Sequence, residues 1–510
     1  MIHVRLYERG LIDALLGFED LVFEVEQMTW RAFGGCTVAK IKATGNQAQL
    51  WNLLTALRAG VEITDERDEA VWWGTIEQVL VQDGKVSVGA SLEKMANRIR
   101  CIYSEVNTAG TVGERTETAW VEDADSQAEY GVKELQVNLS EGTAEQALAR
   151  ANMVLTARSA PPGTIKFGKI SQATATITCV GWWKTLGWRY YTQSAGKEAY
   201  EDIGTGLQAF GDTSSRQKLA QSFQLASAVS WDAKTVRLRM KKEGAPTDTL
   251  TVKLCSDTAG APGTVLVSGT LTGTDIDENL NWVEFGMSAR QTLAASTTYW
   301  ITIERSGASS TANYYKCDAN EALGYSRGSF KIYNGSWVAR SPDADLLFAV
   351  AGVQETSQQI EDIIDAEGEF ITTVLSEINA AVYSVPYRDG DRTALECVEE
   401  LMETGTSSNF RMLAEVLRSR ILRLWEEPDI GDNDYLIRSD GRLYTSMGQE
   451  IDPYHYPVGI WAQLADVTPS SINLNALTGL RSIFIEEVIV GKDGSPQIRA
   501  RDEARLLEIE

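Results

Sequence analysis

Alternation with period two, sustained through the middle of the chain, constrains the fold more than any other feature of this sequence. Val236, Leu238 and Met240 alternate with Arg237, Arg239 and Lys241, and Leu250, Val252 and Leu254 alternate with Thr251, Lys253 and Cys255. Val283, Phe285 and Met287 repeat the pattern against Glu284 and Gly286, and Tyr299 to Ile303 continues it. Successive side chains of a strand leave opposite faces of its sheet, so each run has one dry face and one wet face. Gly260-Ala261-Pro262-Gly263 and Asn334-Gly335 supply turns between runs, and nothing among them has helical spacing. Short strands at this spacing across residues 207–352 predict an all-β two-sheet sandwich, a jelly roll.

The flanks read differently. Asn46 can cap a helix in which Leu50, Leu53, Leu54 and Leu57 share a face, with Gly60 ending it. Thr143 opens a second helix predicted to bury Leu148, Ala151 and Leu155, and Pro161-Pro162 blocks its continuation. Thr393 with Glu396 forms a capping box ahead of Leu395, Val398, Leu401 and Met402, closed by Gly405. Asp83-Gly84, between Thr75–Gln82 and Lys85–Gly89, predicts a two-residue hairpin, as does Asp440-Gly441 between Tyr435–Ser439 and Arg442–Thr445. Helices interleaved with antiparallel hairpins predict an α+β multidomain class for the flanks.

Charge divides the chain along the same lines. Its 510 residues suffice for two to five domains, and 47 Lys and Arg face 71 Asp and Glu, a net of −24. Residues 207–352 hold 14 basic and 14 acidic side chains, whereas 1–206 sum to −7 and 353–510 to −17. Gly204-Thr205-Gly206 leads in and Gly352 leads out, which reads as a neutral domain inserted into an acidic host. A surface of that sign repels phosphate, so sequence-specific nucleic-acid binding is disfavoured. Met1 to Phe18 includes Glu8, Arg9 and Asp13 and reads as neither signal peptide nor membrane span; no stable membrane insertion is expected. Cys36, Cys101, Cys179, Cys255, Cys317 and Cys397 show no C-x-x-C spacing and read as buried thiols, Cys255 and Cys317 being the pair to watch in an oxidising medium.

Motifs for chemistry are missing. The sequence has no G-x-S-x-G elbow, no phosphate loop, no H-E-x-x-H and no G-x-G-x-x-G after a strand, and His3 and His455 are its only histidines. No catalytic, cofactor-binding or metal-ligating residue is predicted, and the chain reads as a non-enzyme. The acidic run Glu426 to Asp434 lacks EF-hand spacing and reads as a solvated loop. Aromatics say more. Trp72-Trp73 and Trp182-Trp183 with Trp188, Tyr190 and Tyr191 read as buried, while the middle segment sets Tyr314, Tyr315, Tyr325, Tyr333, Asn334 and Trp337 among polar residues. Rings in loops can stack on the apolar face of a sugar while amides bond its hydroxyls, so these six are the candidate glycan contacts; passive decoration or particle cementing is the alternative.

Two sets of strings carry a resemblance. Val71-Trp72-Trp73-Gly74 through Val88 to Arg98, and Thr178 to Tyr191, resemble the first domain of tail proteins from long-tailed bacteriophages and prophages. Tyr387 to Leu395, Arg438 to Leu443 and Pro457-Val458-Gly459 are similar to the closing part of the same baseplate hub or tail-tip proteins. Ala220-Gln221-Ser222-Phe223, Thr249 to Val252, Gly260 to Leu266 and Thr297 to Trp300 are similar to a carbohydrate-binding-like β-sandwich module of surface and phage proteins.

The resemblance implies barrel-like antiparallel hub domains with accessory helices: 1–118 an N-terminal barrel, 119–206 the start of a second hub domain, and 353–510 the remainder. It implies a homotrimer continuing the tail tube, through which DNA passes during ejection. Its partners would be a distal tail protein, a tape measure, fibres and host-surface carbohydrate, and its place the virion tail tip after synthesis in the host cytoplasm. Two alternatives stay open: a distal tail ring or other baseplate ring subunit, and a glycan-binding or polysaccharide-hydrolysing surface protein.

Overall fold

The computed structural model describes residues 2–502 except 10–12, 107–111, 194, 202–203, 322–323, 379–381, 406–410, 430–433, 439 and 466–481. The chain divides into two compact units. The first comprises Met1–Tyr191, Thr356–Val382 and Arg392–Glu510; the second comprises Thr192–Glu355 with Tyr383–Asp391. The second unit thus begins before Leu207 and ends after Gly352, and takes one further short segment from the closing part of the chain.

Strand dominates both, which corrects the α+β expectation: 55% of the structure is strand and 15% helix. Among the described residues there are five α-helices of 6 to 15 residues, too short and scattered to form a layer. Their local signals are real. Thr393 and Glu396 make the reciprocal capping box, and the helix Ala394–Glu403 buries Cys397, Val398, Leu401 and Met402. Thr143 forms a second such box with Gln146, ahead of Ala144–Arg158. What the signals do not reveal is how the helices pack: Thr356–Glu367 and Ala394–Glu403 lie against each other, while Ala144–Arg158 lies on the strand Arg98–Val106. The helix Ala144–Arg158 buries Ala147 and Ala151 against Ile99, Cys101 and Tyr103, leaving Leu148 43% exposed.

In the first unit a 14-stranded sheet runs from His3–Tyr7 through Gly60–Thr64, Ala70–Ser91, Gly163–Val180, Phe33–Gly45 and Leu21–Arg31 to Ser482–Gly491 and on to Leu443–Thr445. Its two ends are not paired with each other among the described residues, so the path is open. Thr29, Trp30 and Arg31 face Ile489, Val488 and Glu487 across an antiparallel ladder, which brings the last part of the chain onto the first. Asp83-Gly84 turns the chain within the extended stretch Ala70–Ser91: beyond it the Leu92 N–H donates to the Glu77 carbonyl at 2.9 Å, and both arms pair with Gly163–Val180 across irregular register. Asp440-Gly441 also lies between paired strands, Tyr435–Ile437 and Leu443–Thr445.

The second unit is a sandwich of a seven-stranded and a six-stranded sheet. The larger is built on Trp231–Glu243, flanked by Phe348–Gly352, Asn281–Leu293 and Tyr314–Asn320. The smaller runs Ala261–Thr272, Thr249–Thr258, Tyr299–Arg305, Lys218–Phe223, Phe330–Tyr333, Trp337–Ala339. Val236, Leu238 and Met240 face Leu250, Val252, Leu254, Ile301 and Ile303 in one buried core, as period-two alternation dictates. All six cysteines are buried free thiols. Cys255 lies in a cluster with Ala220 and Trp300, and Cys317 lies in the sandwich core.

Candidate functional site

The six-stranded sheet of the sandwich has an outer face as well as a core face, and the same alternation decides what sits there. Tyr299, Ile301 and Ile303 point inward, so Trp300, Thr302 and Glu304 point outward. Register places Trp300 beside Ser222 and Cys255, Glu304 beside Lys218, Lys218 beside Tyr333, and Tyr333 opposite Trp337. The Tyr333 and Trp337 rings meet edge to face, centroids 5.2 Å apart and planes at 66°. Trp337 packs on the cluster of Ala220, Cys255 and Trp300, and both Tyr333 and Trp337 stay partly exposed.

Charged groups frame these rings. The Lys218 ammonium lies 5.4 Å from the Tyr333 centroid, and the Lys331 ammonium 5.4 Å from that of Trp300 while donating to the Gly260 carbonyl. The Trp300 indole donates to Asp257 Oδ1 at 2.7 Å. Lys218 and Lys253 both pair with Glu304. Burial opposes ionisation of Glu304, but the two ammonium groups outweigh it and hold the carboxyl below its ordinary range. With Asp257 and Glu304 so engaged, the face offers ring surfaces and hydrogen-bonding groups and no acid/base pair set up for bond cleavage.

The six predicted contacts separate into three groups. Tyr333, Asn334 and Trp337 come together on one hairpin, with Asn334 exposed at its turn and Gly335 in left-handed backbone at φ +110°. Tyr314 lies on the other sheet, with the Lys316 ammonium 5.6 Å from its ring. Tyr315 and Tyr325 are buried. Tyr315 donates to Asp248 at 3.0 Å, and Tyr325 to Glu198 at 3.0 Å, each phenol pushed up in pKa by burial and by its carboxylate. They serve the core and cannot touch a sugar. The framing residues Lys218 and Lys331 were missed; Trp300, which the alternation through Tyr299–Ile303 turns to the same side, is only 1% exposed and supports the rings from beneath.

A second concave feature lies in the first unit, a cleft of about 620 Å³ walled by Phe23, Val25 and Met28 and edged by Glu24, Asp65 and Lys492. At Asp65, His455 Nε2 lies 3.2 Å from Oδ2, while the backbone N–H groups of Arg67 and Glu69 each donate to Oδ1 at 2.9 Å. Asp65, Glu69 and His455 are the one set among the described residues whose ligand atoms gather within 4.8 Å. The turn hydrogen bonds and the imidazole account for this cluster without an ion. Of the acidic run 426–434, residues 430–433 lie outside the described residues; Glu427 is buried. No described helix is long and apolar enough to cross a membrane. Trp182, Trp183 and Trp188 are buried, and the Trp73 indole donates to the Val416 carbonyl at 2.8 Å.

No known family matches the chain, and no curated protein does. Among solved structures it is similar to a glycoside hydrolase family 43 arabinoxylan arabinofuranohydrolase from Bacillus subtilis at 10% identity and TM-score 0.15, the match covering 59% of this chain and 65% of the hydrolase. It is similar to VP2 of infectious bursal disease virus at 11% and 0.16, covering 66% of this chain and 78% of VP2. It is also similar to the CBM22-1-CBM22-2 tandem domain of Paenibacillus barcinonensis Xyn10C at 11% and 0.16, covering 62% of this chain and 94% of that one. TM-scores this low mark no shared overall fold, and no function is transferred from them.

Proposed function

We propose that this chain is a non-catalytic structural subunit of a bacteriophage tail tip, the hub that continues the tail tube, with its sandwich meeting host-surface glycan through the Tyr333 and Trp337 face. The observation that carries the reading is the partition of charge between the units. The first unit has 31 basic and 51 acidic side chains, a net of −20, against 16 and 20 in the second, a net of −4. A tube that lets DNA slide without adhering needs a wall of the same sign as phosphate, and a symmetric assembly multiplies that charge. The nearly neutral sandwich has no such repulsion to impose and carries rings suited to a sugar face.

Electron micrographs of assembled tails labelled against residues 207–352 test the reading. The expected result is a threefold hub with label on its exterior. Label lining the channel, or a basic channel wall, overturns it, and sixfold symmetry would mark a distal tail ring or other baseplate ring subunit instead. The partly exposed Tyr333–Trp337 pair favours a second reading, a glycan-binding surface protein outside any tail. Failure of the purified chain to form a ring while it retains a host glycan would select that reading, and release of reducing ends would add hydrolysis to it.

A further inference from the structure

Within the first unit, residues 96–158 hold a small core of their own, in which Ile99, Cys101, Tyr103, Ala147 and Ala151 pack together apart from the main one. A four-stranded sheet and the helix Ala144–Arg158 enclose it. Tyr130 reaches from this module to the main core, and polar contacts flank it. The Tyr190 N–H donates across the seam to Glu134 Oε2 at 2.6 Å, and the Val132 N–H donates to Glu369 Oε2 at 2.8 Å. The Trp120 and Tyr190 rings meet with centroids 6.4 Å apart. A module with a separate core, joined through hydrogen bonds, can part locally before either core melts.

Two carboxyl groups meet in that seam from opposite sides. Glu134 belongs to the module, its side chain 3% exposed; Glu367 ends the helix Thr356–Glu367 of the main body, its side chain 17% exposed. Arg98 donates to Glu134 at 2.8 Å, and Arg189 Nε lies 2.7 Å from Glu367 Oε2. Charges of both signs face the pair: Arg98, Arg189 and Arg100 act on Glu134, while Arg189, Arg98 and Glu134 itself act on Glu367. Arg98 and Arg100 are also engaged by Glu122 at 3.5 Å and Glu117 at 2.7 Å. Among the described residues the aligned donors go to Glu134, whereas Arg189 Nε and the Glu367 oxygen beside it are out of line for a hydrogen bond. A buried anion so poorly compensated gains from taking up a proton. Burial, opposed by Arg189 and reinforced by Glu134, raises Glu367 from its ordinary 4.5 to about 7, and burial raises Glu134 as well.

We infer that this seam is a pH-sensitive latch: a proton held between Glu134 and Glu367 keeps the module 96–158 docked, and its loss parts the module from Tyr190 and Glu369. The direction follows from linkage. A carboxyl that binds its proton more tightly when docked than when solvated lends the seam stability that is full below pH 4.5 and is lost as pH rises through about 7.

Amide hydrogen exchange of the full chain, corrected for the intrinsic effect of pH, tests it. The Tyr190 and Val132 N–H groups report docking, because each donates across the seam, and the strand Arg98–Val106 reports the module's own integrity. Protection at the two seam amides should fall about tenfold or more between about pH 5 and about pH 8 while protection in that strand holds. Glu367→Gln, with no proton to lose, should keep both amides near their low-pH level throughout. Glu369→Gln, at an exposed position, should lower protection at Val132 equally at both pH values and leave the dependence at Tyr190 in place. Seam protection that is flat with pH, or rises with it, overturns the latch, as does loss at the seam together with the strand. A dependence that survives Glu367→Gln overturns Glu367 as the titrating group. Should that variant unfold, Glu134→Gln is read in its place: removing the repelling carboxylate should move the fall to lower pH, and an unmoved midpoint overturns the pair.

Discussion

Asp248 gathers four donors. Arg305 reaches it through Nε at 2.7 Å and a second guanidinium nitrogen at 2.9 Å, the Tyr315 hydroxyl at 3.0 Å and the Gly307 N–H at 3.0 Å. Burial works to raise its pKa, but these donors outweigh it and the carboxyl sits below its ordinary 3.8. A carboxylate depressed in the folded state contributes stability above its unfolded pKa and loses it as pH falls through the folded one, so the sandwich should weaken below about pH 4. Asp248→Ala strands Arg305, whose side chain is only 8% exposed, and should cost about 3–5 kcal/mol in denaturant unfolding. Trp337→Ala, by contrast, removes a half-exposed ring; glycan affinity should fall about tenfold while the melting point of the sandwich moves little. Tyr315 and Trp337 were indistinguishable in sequence, both aromatics among polar neighbours. Asp248 lies 67 positions from Tyr315, and only that distant partner makes the phenol a core residue.

At the scale of elements, signals closed within a few residues were legible. The box at Thr393 needs only Glu396 three positions on, and Thr393→Ala should destabilise the first unit by about 1 kcal/mol, read as a shift in its thermal transition. Signals needing a distant partner were incomplete. Asp83-Gly84 has hairpin chemistry, Gly84 adopts left-handed backbone at φ +58°, and the chain folds back there so that the Leu92 N–H reaches the Glu77 carbonyl at 2.9 Å, but nothing near it in sequence shows that Gly163–Val180 pairs with both arms. Leu148 shares a helical face with Leu155, but small Ala147 and Ala151 meet the sheet, because close approach of helix to strand favours the face with least bulk. The helical flanks therefore looked like α+β while the strands that outnumber those helices stayed hidden in irregular alternation.

For the whole molecule, the main buried core of the first unit and that of the sandwich share no residue. Chains with separate cores do not unfold in a single step, and calorimetry should resolve two transitions. Asp248→Ala should lower only one of them and Thr393→Ala only the other; a single transition moved by both would refute the independence of the cores.

The sequence by itself determined the sandwich core, the capping boxes and the confinement of negative charge, since each follows from spacing or from a sum over residues. Tertiary structure alone decided the predominance of strand, the open 14-stranded path, the burial of Tyr315 and Tyr325, and the assembly of Tyr333, Trp337 and Trp300 on one face. Those depend on which strands pair across tens to hundreds of residues. Strand pairing is written in backbone hydrogen bonds, which every residue type but proline can make, and so leaves little trace in local composition.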